Sequence, residues 1–406
     1  MPAFLIQGAN VVFPDRVEQA SVRIEGGQIT GIDVARDGAA LVEGRGRVLA
    51  PAFVDIHGDA FERQIMPRSG VIVPIEAALL ETDRQLAANG ITTAYHALTL
   101  SWEPGLRAVE TGWQVMKGLA SLEPRLTVEN RLQLRWETFC PEAIPLIDEA
   151  LQMPATPALA FNDHTSSALL RPDIALQDRP FDLVPDYPIA DTASPAFIAK
   201  MEGRAKRSGM TGLDYVALML SVWQGRARVA DDISNLASHA RQRGAPILSH
   251  DDSQVETRDF YRTQGSHIAE FPMHERVFLA AREAGDWIVL GAPNAMRGGS
   301  HLGSPGAAEM IERGLCDILA SDYFYPAMLG AMVRLLADGV ADLPSLWRLV
   351  SANPARAMGL TDRGVIAAGM RADLLLLDWP EQSMPAALRT WAAGRGGYSA
   401  LTDVEK

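Results

Sequence analysis

Six residues able to hold a divalent cation or move a proton stand at or just beyond the ends of short apolar runs: His57, Asp59, Glu137, His164, His250 and Asp322. His57-Gly58-Asp59 closes the run 52–56. In an extended segment residues i and i+2 share a face, so this imidazole and carboxylate aim at one point beyond the strand end. Glu137 ends the stretch 131–137, Asp163-His164 follows 158–162, His250-Asp251-Asp252 closes 246–250, and Ser321-Asp322 closes 317–321. Taken singly, each has an ordinary structural role as a turn residue, a helix cap or part of a solvated loop. Their recurrence at five run ends is what points to chemistry. Three imidazoles and three or four carboxylates suit two divalent ions with mixed nitrogen and oxygen ligands, zinc first, with manganese and iron compatible. Cations so held lower the pKa of water enough to supply hydroxide near neutral pH. A carboxylate can span two ions, and Glu137 is the expected bridge.

A second constellation is Gly291-Ala292-Pro293-Asn294-Ala295-Met296-Arg297-Gly298-Gly299-Ser300-His301. Glycines let backbone N–H groups approach an anion, Arg297 adds a forked cationic donor and Ser300 a hydroxyl. The loop 291–304 is therefore expected to cradle phosphate, against the plainer reading of a flexible connection. Asn294, Arg297, Gly298, Gly299, Ser300 and His301, together with Arg68, are the candidate substrate contacts. His96 and His267 are expected in the core or behind the site, and His239 and His274 on helix surfaces.

Positioning such residues requires a frame. Candidate strands at 53–57, 91–96, 131–137, 158–162, 246–250, 266–270, 287–291 and 317–321 alternate with helical periodicity at 75–88, 106–122, 143–151, 255–264, 275–284 and 307–313. That alternation predicts an α/β chain with a (β/α)8 TIM-like barrel, reactive residues at the C-terminal strand ends. Residues 131–137 alternate Leu132, Leu134 and Trp136 with Arg131, Gln133, Arg135 and Glu137, so one face meets helices and the other faces the barrel axis or a loop. The stretch 169–243 holds a Pro/Asp-rich segment and helix-like patterns near 215–224 and 232–241, and a strand hidden there would change the count. Short strands near the N-terminus, with a Gly26-Gly27 turn, and turn-rich residues 364–378 predict a small β-sandwich built from both termini. The expected boundaries are 1–50 and 361–406 for the sandwich and 51–360 for the barrel. Residues beyond about 380 carry little signal, and Gly394–Gly397 reads as a loop.

Composition narrows the partners. With 37 basic and 50 acidic residues the net charge is −13, which argues against nucleic acid or an anionic membrane surface. Two cysteines, Cys140 and Cys316, form no paired motif, and no apolar run approaches 20 residues. A cytoplasmic enzyme acting on a small anionic, phosphorylated molecule is expected, compatible with a homo-oligomer.

The opening Pro-Ala-Phe-Val-Asp-Ile-His at 51–57, the strand-end ligands and the split β-domain resemble the amidohydrolase superfamily. Within it the chain is similar to the PhnM family of the carbon–phosphorus lyase pathway, through Met66-Pro67-Arg68, Leu132–Glu137, Asp163-His164-Thr165, Ser249–Asp252, Ala269–Pro272, Gly291–Asn294, Arg297–His301 and Ser321-Asp322-Tyr323. This resemblance covers most of 1–378. It implies hydrolysis of α-D-ribose 1-methylphosphonate 5-triphosphate with release of pyrophosphate, and makes Asp322 both a metal ligand and the group that takes the water's proton. Departures occur at Ser166-Ser167-Ala168, at Met273-His274 and across 171–210. Two other classes stand beside the phosphohydrolase: a C–N hydrolase (amidase or deaminase) with the same metals, which would not need the arginine-glycine loop, and a catalytically dead scaffold, which the complete ligand set disfavours.

Overall fold

Eight parallel strands run in chain order around a barrel: β1 (Phe53–Gly58), β2 (Ile91–Leu100), β3 (Glu129–Glu137), β4 (Ala158–Asn162), β5 (Ile247–His250), β6 (Ile268–Glu270), β7 (Trp287–Gly291) and β8 (Ile318–Ala320). The computed structural model describes residues 2–299, 303–381 and 383–400. Every candidate strand of the sequence is present, and 169–243 adds none among the described residues. The barrel closes where Asp322 N–H donates to His57 O (2.9 Å) and Asp59 N–H to Asp322 O (3.0 Å).

Strands covered on both faces read as apolar runs, and all ten residues of β2 are buried. Val54, Tyr95, Ala160, Leu248, Ile268, Val289 and Ile318, drawn from seven strands, form one apolar cluster. Each large side chain so buried contributes about 1.5–3 kcal/mol. β3 behaves as its alternation predicts. Leu132, Leu134 and Trp136 pack with the helices Val109–Leu122 and Ile144–Ala150, while Gln133 and Arg135 bond across the barrel (below).

Beyond the short helix His164–Leu169, the excursion between β4 and β5 carries three longer helices, Pro195–Arg207, Gly212–Trp223 and Val229–Gln242. The first was not anticipated. Its buried stripe is only Phe197, Met201 and Ala205, too narrow to stand out, although Ser194 caps it by accepting from Phe197 N–H and Pro195 opens it.

The second sheet draws strands from both ends of the chain. Its order is Arg395–Ser399, Ala386–Ala392, Leu374–Asp378, Val48–Pro51, Phe4–Val12, Val17–Glu25, Gln28–Ile32, with Ala40–Glu43 also paired to Phe4–Val12. Phe4–Val12 is one strand with an irregularity between Ile6 and Ala9, where Gly8 takes φ 65°. Residues 394–397 are no loop. Ala393 and Gly394, at φ 47° and 72°, turn a hairpin, a two-residue geometry that needs positive φ at both positions. Val48–Pro51 runs almost directly into β1, so this sheet anchors the strand that carries the first site residues. No described helix is long and apolar enough to cross a membrane.

Candidate active site

β1 delivers His57 and Asp59, and a buried lock holds its end. Asp55 accepts from Ser321 N–H (3.0 Å) and from Ser321 Oγ–H (2.5 Å), which fastens β1 to the segment after β8. Gly58 lies against the lock. A Cβ there would fall 2.7 Å from Asp55 Oδ2 and 3.1 Å from Ser321 Oγ. Gly58→Ala is therefore expected to lose roughly 1–3 kcal/mol of stability, the scale of overpacking. Denaturant unfolding reads this, and an unchanged midpoint would show that the lock yields freely.

Three other strand ends share one turn. Asp251, Phe271 and Asp322 take φ 59°, 53° and 53°, and their N–H groups donate to Glu270 O (2.9 Å), Val289 O (3.0 Å) and His57 O (2.9 Å). Left-handed backbone at a non-glycine costs about 1–3 kcal/mol and persists where surroundings dictate it. Here the hydrogen bonds to the next strand dictate it. The turn breaks the strand's alternation, so that consecutive residues such as His250 and Asp251 serve one site.

Ligand-capable atoms then gather in three overlapping groups: His57, His250 and Glu270; His164, His250 and Asp251; and His57, Asp59 and Asp322, each within 4.8 Å. Five of the six expected residues are thus brought together. Glu270 and Asp251 join them without having been singled out. Glu270 ends β6, so the same strand-end rule could have found it, and Asp251 adjoins His250. Phe271 stands edge-on to the rings of His57 (4.9 Å) and His250 (5.1 Å), fixing their planes.

Glu137 departs from its expected bridging role. Its two oxygens both engage His164, one bonding Nδ1 and the other accepting from the backbone N–H at 3.0 Å. It belongs to none of the three groups among the described residues. Burial disfavours its ionised form, but His164 overcomes this and holds the carboxyl at about 2. A carboxylate on one imidazole nitrogen fixes the ring and leaves the other for the centre, and His164 Nε2 lies 3.9 Å from Asp251 Oδ2. Asp163 caps the helix His164–Leu169 through Ser166 N–H (2.7 Å), which sets His164 at its first position.

Arg135 is the buried cation of the mouth. Nε donates to Asn162 Oδ1 (2.9 Å), Nη2 lies 3.1 Å from His250 Nε2, and Nη1 is 3.7 Å from Asp59 Oδ2. Below it Gln133 Nε2 donates to Glu270 Oε1 (2.8 Å).

The expected anion loop is built differently. Ala292–Arg297 is a helix, and Gly298 at φ 84° ends it. Gly298 and Gly299 both donate their N–H to Asn294 O (3.1 and 3.0 Å), so these glycines cap a helix and are not free to line an anion cradle. Arg297 and Arg68 are exposed. Ser300 and His301 lie outside the described residues. Asn294 stays near the centre: Gly291 separates it from Asp322, and its Oδ1 is buried without a hydrogen bond. His267 is exposed rather than in the core, while His96 is buried against Asn130 Oδ1 (2.7 Å).

A divalent cation fits this donor set. His57 Nδ1 and His250 Nδ1 face carboxylates, 3.0 Å from Glu270 Oε1 and 3.1 Å from Asp251 Oδ2, without good hydrogen-bond geometry, and Glu270 Oε2 is buried with no partner, a cost of about 1–3 kcal/mol for that oxygen. Burial lowers His250 to about 4 against the pull of Asp251, with Arg135 adding to the fall, so the ring is neutral and able to ligate at pH 7. Burial, then repulsion from Asp59, pushes Asp322 up to about 6, a penalty that a shared cation reverses.

Comparison with known proteins agrees with this geometry. The model of the "Amidohydrolase family" matches residues 231–401. The α-D-ribose 1-methylphosphonate 5-triphosphate diphosphatase of Escherichia coli (strain K12) is 28% identical over 379 residues, 92% of this chain and 94% of that protein. An adenine deaminase of Methylobacterium sp. (strain 4-46) is 25% identical over 90% of this chain, which spans only 52% of it. Among solved structures, an adenosine deaminase from Xanthomonas campestris with bound zinc superposes with a TM-score of 0.60 at 14% identity, covering 99% of this chain and 94% of that one, a likeness of fold. Strand-end ligands on a closed barrel, a sheet drawn from both termini and these relatives lead to one conclusion: the chain resembles the amidohydrolase superfamily and is a metal-dependent hydrolase.

Proposed function

We propose that this hydrolase cleaves a phosphoric anhydride, releasing pyrophosphate from a ribose 5-triphosphate such as α-D-ribose 1-methylphosphonate 5-triphosphate. The near end-to-end similarity to the Escherichia coli diphosphatase carries the reading. His57, Asp59, His164, His250, Asp251, Glu270 and Asp322 would hold two divalent ions, zinc first among the candidates. When bound, such ions lower the pKa of water and polarise a phosphoryl oxygen. Asp322 accepts the proton of the attacking water. The new P–O bond forms as the bridging P–O bond breaks, and pyrophosphate leaves with the bonding pair. Glu137 fixes His164, Arg135 offsets the carboxylates of the mouth, and Asn294 Oδ1 accepts a substrate hydroxyl. Two free, buried cysteines suit a reducing compartment, and we place the enzyme in the cytoplasm.

The adenine deaminase relative favours a second reading, a C–N hydrolase using the same cations. Parallel kcat/KM measurements on the ribose triphosphate, adenine and a neutral cyclic amide decide between them. We expect the triphosphate to lead by about 10²-fold or more, the discrimination available to a site built for specific polar contacts. A lead for adenine or the amide would overturn the phosphoanhydride reading.

A further inference from the structure

We infer that the pyrophosphate end of the substrate lies in an arginine-lined trough beside His164, built by Arg107 with Arg204 and Arg207 of the helix Pro195–Arg207. A cavity of about 100 Å³ is bordered by Trp102, Arg107, Glu137, His164, Arg204 and Arg207. It continues into a space of about 230 Å³ that shares Arg107 and Arg207 and reaches Arg63 and Ser69. One end thus opens on the side chains of the catalytic mouth and the other on solvent.

The trough carries Glu62, Glu103 and Glu137 beside its arginines, and two of those arginines stand outside ion-pair distance of all three. Glu62 binds Arg107 through both oxygens (3.0 and 2.9 Å). Glu137 holds His164, and Glu103 accepts from the Tyr215 hydroxyl. Arg204 and Arg207 form no ion pair with any described carboxylate. Cations in a last helical turn gain from the helix dipole, and that would explain Lys206 equally well. Yet Lys206 does not border the cavity, whereas Arg204 and Arg207, three apart and on one face, both do. Two like charges at that spacing repel, and an anion between them reverses the sign. Trp102 fixes the wall: its Nε1–H donates to Thr165 Oγ1 (2.9 Å), next to His164, and its ring packs on Tyr215 at 5.4 Å. A diphosphate leaving the centre past His164 enters this trough directly. The helix belongs to the segment 171–210, where the sequence departs from its family resemblance.

The inference rests on the phosphoanhydride reading for its place in the reaction, and pyrophosphate binding tests it separately. The metal-loaded enzyme is titrated calorimetrically with pyrophosphate in excess divalent cation, as wild type and as the double variants Arg204→Ala/Arg207→Ala and Arg204→Lys/Arg207→Lys, with Lys206→Ala as control. We expect the double alanine variant to bind pyrophosphate about 30-fold or more weakly, the loss for charge-assisted contacts. The lysine pair should recover part of it, because charge returns without the fork, and Lys206→Ala should match wild type. KM for the ribose triphosphate should rise in parallel. Equal pyrophosphate affinity in wild type and the double alanine variant, or no binding by wild type, overturns the trough whatever substrate is turned over. Arginine-dependent binding in an enzyme that hydrolyses only amides would uphold the trough and remove the phosphoanhydride reading.

Discussion

Asp322→Asn is expected to lower kcat by about 10²-fold or more, the usual contribution of a positioned acid–base group. Asp322 follows Ser321, which is fastened to Asp55, and its backbone bonds β1 on both sides through His57 O and Asp59 N–H. Its carboxylate is thereby aimed at His57 and Asp59. Asparagine keeps the size and one ligating oxygen but cannot take a proton. Metal content should stay near wild type while turnover collapses, with whichever substrate the wild type accepts. Measuring kcat beside metal content separates this from ligand loss. A variant that retains metal and turns over at the wild-type rate would remove Asp322 as the proton acceptor.

The second large effect is expected at His57, whose ring takes part in two of the three ligand groups. His57→Ala should strip bound metal and abolish measurable turnover. The ring is buried, it lies 3.0 Å from Glu270 Oε1, and it packs on Phe271. Its loss leaves the Glu270 carboxylate without its nearest cationic or metal partner in a dry site, a burden of several kcal/mol, so a lowered melting temperature should accompany it. Elemental analysis of the purified variant is the check. Full metal occupancy and full activity would show that the centre is not built on His57. Excess zinc or manganese should restore little, because the missing donor cannot be replaced by mass action within a fixed barrel mouth.

How much of this was legible beforehand differs between frame and site. All eight barrel strands were readable because parallel strands buried on both faces are apolar runs bounded by turns. Residues 91–100 show why, with every side chain inside. The polar face of 131–137 was readable for the same reason, since two-residue alternation assigns faces. The helix Pro195–Arg207 was not, because its polar, exposed surface outweighs a three-residue buried stripe. The C-terminal hairpin was missed because its turn at Ala393-Gly394 depends on backbone angles that an alanine does not announce.

At the candidate site, residue type and position at a strand end made five candidates legible: His57, Asp59, His164, His250 and Asp322 come together because the barrel brings its C-terminal strand ends to one mouth. Sequence could not determine which atoms face one another. That Glu137 turns both oxygens to His164, that Glu270 comes to His57, and that Gly298 and Gly299 cap a helix rather than an anion all depend on contacts across 27 to 213 residues of chain or on local backbone angles. The same holds for the trough, where Arg107 and Arg204 are about a hundred residues apart in sequence and neighbours only in the folded barrel. Periodicity is a local property of the chain and survives in one dimension. The pairing of charges is set by packing, which exists only in three.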